Sequence, residues 1–154
     1  MYYAMIVLLM GALPIASIFI EHATANADWI VLAGRWLVFW ASGLRLLIAG
    51  VRQIANPAFT AKNIFEIETP GAKKIVIELG FANTAMGLLS IASIIRPDFV
   101  LPAAIVTGLY YGLAGGLHLR SAHRNARENW AMASDLWVFV VLAAYVVASL
   151  IRGG

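Results

Sequence analysis

Five apolar runs, each close to or beyond the length that crosses a bilayer, fill most of this chain: about 3–20, 29–54, 73–95, 99–120 and 130–151. An α-helix rises about 1.5 Å per residue, so ~20 apolar residues cover the ~30 Å of hydrocarbon in a membrane. In lipid each backbone polar group must be satisfied inside its own segment, which makes a helix the spanning form for runs of this length. A soluble domain carries about 25% charged residues. This one is 62% hydrophobic and 12% charged over 154 residues, more apolar chain than a soluble core of that size can bury. The expectation is one all-α domain, residues 1–154. It is an integral membrane helix bundle with five transmembrane helices, a four-helix core from helices 2 to 5 plus an N-terminal helix.

Local signals set the boundaries. The first run contains Pro14 and is followed by ATANA at 23–27, which has the small-residue pattern of a signal-peptide cleavage site. No Lys or Arg precedes it, as a signal peptide requires, so the run reads as a retained helix. Arg96-Pro97 ends the third helix, and Asp98 is placed to cap the fourth. The only long loop, 55–72, carries a short interfacial helix in which Thr60 is the expected cap and Ile64, Phe65 and Ile67 the apolar face.

With five crossings, the N-terminus, the 55–72 loop and the 121–129 loop share one side. Seven basic residues lie there: Arg52, Lys62, Lys73, Lys74, Arg120, Arg124 and Arg127. The other side has Arg35, Arg96 and Arg152, and Arg45 belongs to neither. The positive-inside rule then puts the N-terminus in the cytoplasm and the C-terminus outside. The lipid bilayer is therefore one partner; a homo-oligomer or a larger membrane complex is left open. The basic residues sit at the ends of the runs, where topology explains them, and give no sign of nucleic-acid binding.

Within the second run, GRWLVFWASGLRLLIAGVRQIAN (34–56), Arg45 falls near mid-span. A charge at that depth costs at least ~2.5–3.5 kcal/mol, so Arg45 needs an internal partner, water or a ligand. Depth arithmetic gathers Arg45, Arg52, Glu78, Asn83, Tyr111, His118 and Asp135 at one level of the bundle. Glu78 and Asp135 are the carboxylates that could neutralise the two arginines, with Glu78 the favoured partner of Arg45. Fully paired, the cluster sets helix register, and the protein is a structural or accessory membrane subunit, which is the leading expectation. Unpaired, it lines an inward-facing pocket for an anion or a quinone-like headgroup. Gly108, Gly112 and Gly116 recur every four residues in the fourth helix and form a face against which another helix can pack closely.

Catalytic chemistry is not encoded in any recognisable way: there is no nucleophile–base pair, no metal set and no phosphate loop. Cysteine is absent, which removes thiolate metal sites, iron–sulfur clusters and cysteine nucleophiles. His118 and His123 are five apart, splayed by ~140° on a helix, the wrong spacing for a shared metal. No cofactor is expected, although a bound lipid or quinone fits the pocket reading.

The strings RQIANPAFTA (52–61), ELGFAN (78–83), AGGLH (114–118) and NARENWAMASDLW (125–137) together resemble an uncharacterised bacterial family of small multi-pass membrane proteins. A basic helix, a loop with Pro and Phe, and Glu-Leu-Gly in the next helix are also similar to DoxX-like proteins, which form four-helix membrane bundles. That likeness implies a small subunit associated with sulfur-compound or quinone oxidation, and it carries no catalytic residue over to this chain.

Overall fold

The computed structural model describes residues 2–153, apart from the Pro70 side chain. Five helices are long and apolar enough to cross a membrane. They are α1 (Tyr2–Ala25), α2 (Trp29–Ala55), α4 (Pro70–Ala92), α5 (Val100–Arg120) and α6 (Ala126–Gly153). A short helix, α3 (Pro57–Asn63), follows α2, and one turn of 3-10 helix, Pro97–Phe99, leads into α5. The chain is thus an all-α multi-pass membrane bundle.

Two boundaries differ from the sequence reading, each for a local reason. The short helix occupies 57–63 rather than the stretch around Ile64, Phe65 and Ile67, because Pro57 starts it directly after α2. Thr60 is therefore inside the helix and buried, not a cap. Asp98 does not cap α5 either: its carboxylate pairs with Arg96 at 3.1 Å, and no side chain caps the helix.

Both ends of the bundle are closed by specific contacts. At one end, Asn26 takes the left-handed conformation that terminates α1 (φ 49°). Asp28 then caps α2 by accepting from the N–H groups of Ile30 and Val31. Arg152, near the end of α6, pairs with Asp28 at 3.1 Å. The hydrogen bond from Arg152, followed by the N–H of Val31, holds the Asp28 carboxyl below its ordinary range. Glu21 accepts from Arg35 and from the Trp36 indole, binding α1 to α2. At the opposite end, the Tyr2 hydroxyl donates to the Arg127 carbonyl and Asn125 donates to Glu66. There Arg124 caps α5 through the carbonyls of His118, Leu119 and Ser121.

Packing is uneven around the bundle. The main core draws its buried side chains from α1 (Ile6, Met10), α2 (Leu37, Val38, Ala41, Leu46), α5 (Val100, Ala103, Ala104, Tyr111) and α6 (Val138, Leu142, Tyr145). The N-terminal helix therefore belongs to this core rather than standing beside it. α4 adds only partly buried Met86 and Leu89 to it, and docks instead along α2. That contact is backbone against backbone. A Cβ on Gly50 would lie 2.7 Å from the Gly80 carbonyl and from the Thr84 nitrogen, and one on Gly87 would lie 2.6 Å from the Leu47 nitrogen. α5 packs along α6, whereas α4 and α5 touch only sparsely.

Two interruptions of helical geometry matter for the interior. In α1, residues Leu8–Ala12 are wound as a π-helix just ahead of Pro14, which has no N–H to give the Met10 carbonyl. The Trp137 indole supplies that hydrogen bond at 3.0 Å. In α2, Val38–Leu44 is π-helical, and the Arg45 N–H bonds back to Trp40 rather than to Ala41. The released Ala41 carbonyl accepts the Tyr111 hydroxyl at 2.6 Å. π-segments of this kind concentrate at functional sites, and this one ends where Arg45 begins.

Candidate functional site: a polar cavity inside the bundle

A cavity of about 340 Å³ lies toward the end of the bundle that carries Tyr2, α3 and the α5–α6 connection. Each of the five long helices contributes to its wall: Tyr2 from α1, Arg45 and Gln53 from α2, Asn83 from α4, Tyr110, Tyr111 and His118 from α5, Asp135 from α6. Arg45 stands ten residues before the end of α2, about 15 Å along the axis. The site is thus deep within the apolar span.

Several of the polar groups are held in place by neighbours on other elements. Asn83 donates its amide to Gln53 Oε1 at 2.8 Å, tying α4 to α2 and leaving Asn83 Oδ1 unpartnered. Tyr111 is fixed by Ala41, and beside it Ser42 donates to Thr107, whose own hydroxyl is used on the Ala103 carbonyl. His118 Nδ1 lies 3.0 Å from Glu128 Oε1, with both side chains nearly buried. Glu128 is set by its own helix start, where its N–H bonds to the Asn125 side chain at 2.9 Å.

Arg45 forms none of the ion pairs found among the described residues. Its Nε, Asn83 Oδ1 and Asp135 Oδ1 are buried without a hydrogen-bond partner in the protein. Asp135 is only 6% exposed and Asn83 only 1%. Leaving one such atom unsatisfied costs about 1–3 kcal/mol, and more where it is charged. The three residues that carry these atoms, Arg45, Asn83 and Asp135, all line the one cavity.

Of the seven residues gathered by depth, the structure brings together Arg45, Asn83, Tyr111, His118 and Asp135. Glu78 is not among them: it is exposed on the outer side of α4. Five residues separate it from Asn83, which turns it ~140° away around the helix. The expected pairing of Arg45 with Glu78 is therefore absent. Arg52 also lies outside the cavity wall, with its guanidinium 4.0 Å from the centre of the Phe59 ring on α3. Tyr2, Gln53, Tyr110 and Glu128 escaped the sequence reading. The Asn-x-x-Glu pattern at 125–128 was the available signal for Glu128, since it marks a helix start whose third residue is an acid.

The glycine stripe on α5 is only partly a packing face. Gly108 meets Leu142 at an ordinary distance, Gly112 lies under the Phe139 ring, and Gly116 faces open space. Gly115, one position away, is the residue packed against Leu136. Among the described residues no cluster of three His, Asp or Glu side chains is placed to hold a metal ion. Comparison with protein families, with curated proteins and with solved structures finds no match for this chain.

Proposed function

We propose that this membrane bundle binds a small molecule in its polar cavity, as a receptor or carrier, rather than serving as a packing subunit. An accessory role for the polar cluster requires its members to satisfy one another. The observation that supports binding is that Arg45 Nε, Asn83 Oδ1 and Asp135 Oδ1 do not, although the residues that carry them line one cavity. Intramembrane ionisable groups facing a cavity are the usual mark of a ligand or ion path. The excess of basic residues at the cavity end supports a cytoplasm-facing site.

Native mass spectrometry of the protein, extracted from its own membranes in mild detergent, tests this reading. The parent is expected to carry a non-covalent mass. Ala114→Phe, which fills the cavity from α5, is expected to lose that mass while retaining its helical circular dichroism. A parent with nothing bound, together with an Ala114→Phe variant that melts higher, contradicts the proposal, because filling an idle void stabilises a bundle.

A further inference from the structure

The cavity wall has two chemistries. Its inner part is polar and nearly balanced in charge. Arg45 brings one positive group and Asp135 one carboxyl group, His118 is already engaged by Glu128, and Arg52 stays against Phe59. A strongly anionic head reaching Arg45 would meet Asp135. A neutral head with hydroxyl or amide groups can instead both donate and accept at the side chains of Arg45, Asn83 and Asp135. The outer part is apolar: Leu79 of α4, Leu113 and Leu117 of α5, and Ile64 and Phe65 after α3.

This apolar wall runs out to the membrane-facing surface. Leu113 is 75% and Leu117 67% exposed, and they stand at the seam where α4 and α5 touch only sparsely. Phe65 lies over the same opening, its ring stacked at 6.4 Å on His118. Ligand cavities range over about 300–1,000 Å³. At about 340 Å³ this one holds a small head and the start of one chain, and is too small for a two-chain phospholipid.

The geometry points to a neutral-headed single-chain lipid, of the monoacylglycerol type, that enters from the bilayer through the α4–α5 seam. Its head is taken by Arg45, Asn83 and Asp135, and its chain leaves between Leu79, Leu113 and Leu117. This inference rests on the binding reading above and names the class of molecule bound.

The test is photo-crosslinking in lipid nanodiscs with a monoolein analogue bearing a diazirine near the head end of its chain. Labelling is expected to saturate and to map to the peptides containing Leu79, Leu113 and Leu117. Excess unlabelled monoolein should reduce it at least about tenfold, corresponding to specific occupancy of one site. Oleate should compete less well, and glycerol not at all. Unsaturable labelling spread over the outward faces of all five helices overturns the inference, since it reports surrounding lipid only. Competition by oleate or glycerol as strong as by monoolein overturns it too. A polar mass without an acyl chain in the native spectrum removes the lipid inference and leaves the binding reading standing. A bare parent stabilised by Ala114→Phe removes both.

Discussion

Tyr111 and Trp137 do the same work at two different breaks in helical hydrogen bonding. Each donates to a main-chain carbonyl that its own helix has released: Ala41 beside the π-segment of α2, and Met10 ahead of Pro14 in α1. Tyr111→Phe keeps the ring and strands a buried carbonyl, so it should cost about 1–3 kcal/mol and lower the melting temperature in detergent. Trp137→Phe should likewise destabilise, but Pro14→Ala restores an N–H to Met10, and the loss from Trp137→Phe should shrink in that background. The measurement is thermal unfolding of the four variants. Neither interaction could be read from the sequence, because a tyrosine or tryptophan in an apolar run gives no hint of which carbonyl it will meet. Arg45 was legible as a problem, from the energy of a charge at mid-span. Its surroundings were not, since depth fixes a level in the bundle but not the face of each helix. That is why Asp135 reaches the cavity while Glu78, at a similar level, turns outward.

Helix against helix, the closest backbone-to-backbone approach is made by the glycines of α2 and α4 rather than by the stripe on α5. Gly87→Ala places a methyl group against the Leu47 backbone, where nothing flexible can yield. Overpacking of this kind costs about 1–3 kcal/mol, so this variant should melt clearly below the parent. Gly112→Ala presses on the Phe139 ring, which can shift, and should cost less; Gly116→Ala meets open space and should be neutral. The ranking is checked by melting curves of the three proteins, and equal melting of Gly87→Ala and Gly116→Ala would show that α2 and α4 stand further apart. The five long helices themselves were plain in the sequence because length and hydropathy decide them. The small-residue spacing of the fourth helix was plain as well. Which stripe finds a backbone depends on how α4 is turned against α2, and one sequence does not carry that information.

For the whole molecule, the distribution of basic residues predicts which way the cavity faces. A reporter fused at the C-terminus should be active outside the cytoplasm, and one inserted in the 121–129 loop should be active inside. The opposite pattern would turn the cavity end outward and the orientation with it. More central is whether the interior charges serve each other or a guest. A double-mutant cycle on Arg45→Leu and Asp135→Leu, read by thermal or denaturant unfolding of purified protein freed of bound lipid, separates the two cases. The binding account predicts a coupling below about 1 kcal/mol, with the two single changes nearly additive. A partner stranded inside a true buried ion pair costs about 3–5 kcal/mol. A coupling of that size, with the double variant melting close to the parent, would mean that Arg45 and Asp135 neutralise one another, and would contradict the account.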